Sequence, residues 1–456
     1  MLPDSPVNDD QLSFFNIVDQ LDTSHPLIAL GNTLDWSSLE ASLSQYYSAK
    51  GRAAKPIRLM SGLVMIKQLY SLSDESVVDQ WKMNPYFQVF CGEVSFQTQV
   101  PCHATELVKF RNRIGSEGVR EIFSLSVKLH GKLAEEQTVL VDTTVQEKAI
   151  TYPTDSKLAI RIINRLNKLS KLHGIQQRRT YVKEVRSLRL ACRHFRHVKR
   201  RRKANKALKR LRTIAGVLLR ECQRKLPIDV LTAQEANFAL YERVLSQQPK
   251  DRNKVYSLHD PAVYCVGKGK DHKAYEYGRK ASVVATKESQ VIVGVVSHDE
   301  HDHDSKTLKA ALTEAHTHRE TSIRLAVVDR GYRGAKNKVD CEVLLPGPPL
   351  KRDNAYQRQK KRILCRKRSA IEPIIGHLKH DHRLLRSWLK GAEGDRINLL
   401  MAGCAWNLRM LTVSPAPRAA LKPPIINTEV EAKNARPLPR FPIIWVSIIF
   451  ISRFSI

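Results

Sequence analysis

Residues 157–225 hold 24 Lys or Arg against two acids, Glu184 and Glu221, and this composition limits what the segment can build. Leu158, Ile162, Ile163, Leu166, Leu169 and Leu172, then Leu188, Phe195, Leu208, Leu211, Leu218 and Leu219, recur at helical spacing. The island therefore predicts two or more basic helices, bracketed by segments of different texture. A run of like charge ordinarily marks a solvated face. Two acids cannot pair with 24 cations, however, so a phosphate backbone is the natural counter-ion.

The island carries most of the excess of a 456-residue chain with 76 Lys plus Arg, 45 Asp plus Glu and a formal net charge of +31. Such an imbalance points to a polyanionic partner, nucleic acid ahead of an anionic membrane surface. The eight cysteines contain no CxxC pair, which argues against a zinc knuckle or a dense disulfide framework and for a reducing compartment. The first residues, MLPDSPVNDDQ, are acidic where a secretory signal needs basic ones, so a cytoplasmic location is expected.

Before the island the texture is helical. Ile57, Leu59, Met60, Leu63 and Val64 begin a periodic run, SLSDESVVDQW restarts it after a capping signal, and Asn84-Pro85 ends it. Further helices are expected over 104–114 and 117–133. Short helices carrying basic residues, as in LVKFRNRIG, permit a helix-turn-helix-like DNA reader or an ordinary packing domain.

Strand texture begins at TVLVDTTV (138–145), a β-branched run with Asp142 in it. An unpaired buried carboxylate is costly, so this one is expected to hold a cation or a charged partner. After the island, ASVVATK (281–287) and VIVGVVSH (291–298) form a hairpin pattern, and a helix is expected over 305–318. IRLAVVDRGY (323–332) is a third apolar run that ends in Asp329, and VDCEVLLPG (339–347) is another strand. Glu372 then stands in RSAIEPIIGHLK, among Lys and Arg. The order predicts an α/β or α+β layered fold. Beyond Leu411 the chain is Pro-rich and aperiodic, which predicts a disordered tail, and its apolar PIIWVSIIFI is far too short to span a membrane.

Two strand-borne aspartates and a helix-borne glutamate can converge on a pair of Mg2+ ions, because hard cations take oxygen ligands and phosphoryl chemistry uses two metals. In this order the chain resembles the DDE transposases, whose catalytic domain is ribonuclease H-like. R-x3-E-x6-K at Arg368, Glu372 and Lys379 is similar to the Y-x2-R-x3-E-x6-K signature of bacterial insertion-sequence transposases of the insertion sequence five group. The Tyr place of that signature falls on Cys365. The stretch 57–93, VKFRNRIG, VDTTV with YPTD, KGKDHKAYEYGRKASV, VVDRGYRG and IEPIIGHLKHDHRL resemble further blocks of the group in the expected order.

The resemblance implies an N-terminal helical domain (1–135) for DNA binding or dimerisation, and a ribonuclease H-like catalytic domain in two pieces (136–156 and 255–411). A basic helical insertion (157–254) and a tail (412–456) complete the expected organisation. It implies that Asp142, Asp329 and Glu372 bind two Mg2+ ions, with Mn2+ able to substitute, for cleavage and strand transfer. The implied partners are double-stranded DNA, as terminal inverted repeats and target, and a second copy of the chain, in a bacterial nucleoid-associated setting without membrane. Arg368 and Lys379 would contact phosphate, and Lys268, Lys270 and Lys273 fit either a solvated turn or phosphate contacts facing the site, the contacts being preferred. On a continuous helix at ~100° per residue, Arg368, Glu372 and Lys379 fall within ~40° of one another. Pro373 interrupts that continuity by opening or kinking the helix.

Blander readings stand beside these. Arg368 and Glu372 fit an i,i+4 surface pair worth ~0.5 kcal/mol. Asp155 fits a helix cap, and Asp304 or Ser305 another, at the end of HDEHDHD (298–304), a solvated loop or a zinc or manganese site. Tyr332 fits packing as well as function. A catalytically inactive DNA-binding derivative and a nuclease on the same fold are the alternatives in function.

Overall fold

The computed structural model describes residues 16–413, apart from residues 49, 52, 196, 271–272, 335–338 and 349–351 and the side chains of residues 268–270, 273 and 413. Lys268, Lys270, Lys273, PIIWVSIIFI and the tail from residue 414 onward therefore lie outside the described side chains or residues. Residues 412 and 413 belong to the closing turn of the helix Gly391–Val413 rather than to an irregular tail.

The N-terminal third is helical: Pro26–Thr33, Trp36–Ser44, Ile57–Leu69, Asp74–Met83, Pro85–Phe90 and Ala104–Lys128. The capping signal operates as expected, with Ser73 Oγ accepting the Ser76 N–H at 3.0 Å. Asn84 ends one helix and caps the next, where Pro85 fills the position that needs no N–H. The helices expected over 104–114 and 117–133 are one run, Ala104–Lys128, broken at Gly115, whose φ of 60° favours glycine. The break leaves the Ser116 N–H without a helical acceptor, and the Glu393 carboxylate takes it. The run stops at Lys128, and Gly131–Glu135 is a 3-10 turn.

The basic island folds as Asp155–Leu172, Val182–Cys192 and Arg201–Lys225, followed by Ile228–Ser246. Leu158, Ile162 and Leu166 face Leu211, Ile214 and Leu218 in an apolar cluster of their own. Arg201, Arg202, Lys203, Lys206 and Lys209 are exposed on the other side. The two acids are engaged, Glu184 by Arg210 at 2.6 Å and Glu221 by Lys225 at 2.7 Å. Thr154, not Asp155, caps the first helix, because Asp155 is already helical and turns its carboxylate to Arg212 at 2.8 Å.

Seven strands form one mixed sheet: β1 (Thr138–Lys148), β2 (Tyr264–Lys270), β3 (Lys273–Thr286), β4 (Ile292–Ser297), β5 (Leu325–Val327), β6 (Glu342–Leu344) and β7 (Arg386–Ser387). Their order is β2-β3-β1-β5-β6, with β4 on β3 and β7 on β1. β1 runs antiparallel to β3 and parallel to β5, and β6 is parallel to β5. The expected hairpin at 281–298 is present, with β3 longer than anticipated because its first half also pairs with β2.

Alternate residues of β1 serve two cores. Val139 and Val141 join the main cluster, which includes Leu27, Leu63, Phe123, Val283, Ile292 and Leu408, so the N-terminal helices, the sheet and Gly391–Val413 share one interior. In that interior Asn407 accepts the Ile292 N–H at 3.0 Å and donates to the Ile292 carbonyl at 2.9 Å, satisfying backbone groups that burial cuts off from water. Leu140 points to the opposite face, where Val327 and Ile371 meet it.

Candidate active site

The small cluster of Leu140, Val327 and Ile371 positions all three candidate acids. Leu140 and Val327 are register partners on the parallel strands β1 and β5. Asp142, in the middle of β1, and Asp329, just past the end of β5, follow Leu140 and Val327 by two residues, which sets both on the face of that pair. Ile371, 0% exposed, packs against that pair and carries Glu372 as its chain neighbour.

Arg368 connects the helix to the sheet. Its Nη1 donates to Asp142 Oδ2 at 3.3 Å and its Nη2 to Glu372 Oε1 at 3.0 Å. The helical path here is Ala355–Lys367, a 3-10 turn at Arg368–Ala370, then Ile371–His380. Pro373 lies in the first turn of the last helix, where its missing N–H costs little. Arg368 thus stands outside the α-helix and still reaches Glu372, so the i,i+4 pair forms and extends to a third residue. Lys379 is near the end of the same helix as Glu372.

The electrostatics favour a cation. Asp142 is pushed up to about 6, chiefly by burial; its hydrogen bond from the Thr143 N–H and the Arg368 charge oppose this, and the Asp329 and Asp304 carboxylates add to it. Asp329 accepts the Gly331 N–H at 2.9 Å, which fixes its side chain against the turn Arg330–Tyr332. Glu372 is 61% exposed and open to the outside. Among the described residues no three His, Cys, Asp or Glu side chains already stand in a metal-holding arrangement. The donor chemistry of the acids fits a hard divalent ion, and the guanidinium now supplies positive charge between two of them.

Asp304 is brought here unexpectedly. His303 caps the helix Asp304–Thr317 by accepting the Ser305 N–H, so Asp304 is the first helical residue and its carboxylate turns toward β1. Thr143 Oγ1 donates to Asp304 Oδ1 at 2.9 Å, and Lys280 Nζ to the same atom at 3.0 Å. HDEHDHD does not assemble a separate metal site among the described residues. Asp299 instead pairs with Arg279 and Arg396. Tyr332, read as packing or function, is 0% exposed beside these acids, and burial first, then the acids, raise its phenol well above the ordinary value.

Beside the acids runs a groove of about 1030 Å³ that is strongly basic. Arg330 and Arg333 line one side, and Arg358, Lys361, Arg362 and Arg366 the other. Cys365, at the place of the signature tyrosine, lines it too, half-buried and with no phenol to offer.

A family profile described as "Transposase domain (DUF772)" matches residues 15–113, and one described as "Transposase DDE domain" matches residues 221–408. The second match takes in Asp329 and Glu372 and begins after Asp142. A protein of Rhizobium meliloti described as "Uncharacterized protein ORF8 in nfe locus" is 37% identical over 174 residues, which are 37% of this chain and 84% of that protein. No solved structure matches. With one aspartate within β1, one just past β5 and a helix glutamate gathered at one sheet face, and transposase profiles matching residues 15–113 and 221–408, the chain belongs to the DDE transposases.

Proposed function

We propose that the chain is the transposase of an insertion sequence, of the insertion sequence five type, which binds terminal inverted repeats and catalyses strand cleavage and strand transfer. Asp142, Asp329 and Glu372 are the catalytic acids. The observation that carries this reading is the shared anchoring of their three carriers by Leu140, Val327 and Ile371. The β4-β3-β1-β5-β6 succession supports a ribonuclease H-like domain from 136–156 and 255–411. Residues 1–135 are assigned to DNA binding or dimerisation and 157–254 to a basic insertion, and the working form is a homodimer because two element ends must be held together.

Asp142, Asp329 and Glu372 would hold two Mg2+ ions, or Mn2+ in their place, which when bound would supply positive charge for activating the attacking oxygen and stabilising the leaving one. The chain's own residues prepare that chemistry. Asp142, ionised above a pH of about 6, and Asp329 offer oxygens from the middle of β1 and from just past the end of β5. Glu372 offers a third from an exposed first turn. Arg368, released from the carboxylates, grips a phosphate with its fork of donors, and Lys379 adds a point charge from the same helical element. Arg330 and Arg333 continue the phosphate track directly beyond Asp329, and Lys268 and Lys270 are assigned to the same task. Incubation with Mg2+ and DNA bearing the element's own ends tests the reading: cut and joined products are expected, and binding without cutting would overturn it.

A further inference from the structure

Gly331 separates two carboxylates. A Cβ built on it would stand 3.0 Å from Asp304 Oδ2 and 3.0 Å from Asp329 Oδ1, so the two oxygens flank one point from opposite elements. Asp304 Oδ1 is already occupied by Thr143 and Lys280, which aim the second oxygen toward the acids. An independent feature points to a polar guest here. Tyr332 Oη is buried and reaches no partner at hydrogen-bond geometry among the described residues; its polar neighbour is the Thr307 hydroxyl, which itself donates to the Asp304 carbonyl at 2.9 Å. A buried, unpartnered phenol costs about 1–3 kcal/mol unless something polar enters beside it. A hydrated ion would bring water to the phenol and neutralise the aspartates together.

We propose that Asp304 is a fourth carboxylate of the cation site, set across Gly331 from Asp329 and binding the same divalent ion, with Tyr332 facing that ion's water. The proposal rests on the reading of Asp142 and Asp329 as cation ligands. Lys280 holds Asp304 in place before the ion arrives and keeps its contact through the Asp302 carbonyl, 2.6 Å away.

Asp304→Asn separates this role from a structural one, because the amide oxygen still accepts from Thr143 while the charge is lost. Mn2+ binding to the full chain without DNA, followed by the electron paramagnetic resonance of free Mn2+, is compared for wild type, Asp304→Asn, Asp142→Asn, Asp329→Asn and the exposed control Asp299→Asn. Asp304→Asn is expected to weaken binding about tenfold or more, and the control to leave it unchanged. Wild-type affinity in Asp304→Asn, with binding lost in Asp142→Asn and Asp329→Asn, would overturn the proposal and leave the catalytic reading standing. Unchanged affinity in all the variants would remove both. If Asp304→Asn lacks native circular dichroism, Gly331→Ala is measured instead. Its methyl must push the two oxygens apart, and unchanged Mn2+ affinity in a natively folded Gly331→Ala protein would equally overturn the proposal.

Discussion

Arg368 Nη1 lies 3.3 Å from Asp142 Oδ2, joining the first strand of the sheet to a residue 226 positions later in the chain. The contact offsets a carboxylate that burial and two neighbouring aspartates destabilise. It also places positive charge where a metal ion would carry it, so guanidinium and ion compete for the same oxygens.

The competition makes a prediction. Arg368→Ala leaves Asp142 without its counter-charge and lowers stability in EDTA by about 1–3 kcal/mol. Added Mg2+ should restore more stability to Arg368→Ala than to wild type, because the ion no longer displaces an arginine. Thermal melting with and without Mg2+ checks this, and an equal Mg2+ shift in both proteins would show that Arg368 does not occupy the ion's place.

Ile371 links packing to chemistry. Ile371→Ala opens a cavity against Leu140 and Val327 and should cost about 2–5 kcal/mol. Because Glu372 is its neighbour, cleavage should fall by more than the loss of folded protein explains, while DNA binding persists. Urea denaturation and gel-shift measurements on the same preparation separate the two effects.

Much of this was legible in the sequence. TVLVDTTV and IRLAVVDRGY are β-branched or apolar runs ending near an acid, and short buried strands announce themselves that way. Glu372 was singled out by the resemblance of its segment and the other blocks to the transposase group, since the spacing of Arg368 and Glu372 by itself fits a surface ion pair. Asp304 was not, because a one-residue difference in which side chain caps a helix decides whether its carboxylate turns inward, and no local pattern distinguishes His303 from Asp304 in that role. The Thr143 to Asp304 contact spans 161 positions and exists only once the sheet is formed. Gly115 illustrates the same limit: a glycine advertises a break, but the helix resumes because Glu393, far along the chain, receives the freed N–H.

Two buried histidines set an acid limit. His298 and His382 are both held down at about 4, first by burial, against an ordinary value of 6.5. The folded values lie below the unfolded ones, so the unfolded chain binds more protons between these limits and stability is lost as pH falls from 6.5 through 4. Asp142 acts with the opposite sign, its folded value of about 6 lying above the ordinary 3.8. In Asp142→Asn that opposition is gone, and unfolding near pH 5 should take up about two protons from the histidines. Urea denaturation of this variant across pH 4–7 measures the slope, and a flat profile would contradict the burial of neutral imidazoles.

The basic helix Arg201–Lys225 presents Arg202, Lys203, Lys206 and Lys209 to solvent, opposite buried Leu211 and Ile214. Changing these four to Gln should weaken DNA binding and reduce the slope of log K against log salt by up to about 0.9 for each phosphate no longer neutralised. The fold should hold, because the altered positions lie off the buried face. An unchanged slope would assign this surface to some partner other than DNA.

The central claim is that three acids, from the middle of β1, the turn after β5 and one helix, form one catalytic centre. Cleavage and strand joining of DNA with the element's inverted ends, in Mg2+, tests it through Asp142→Asn, Asp329→Asn and Glu372→Gln beside wild type. Each variant is expected to bind the DNA as wild type does and to lose cleavage by on the order of a thousandfold, the scale of removing electrostatic stabilisation at a reacting phosphate. A folded variant of any one acid that still cuts and joins at the wild-type rate would contradict the account.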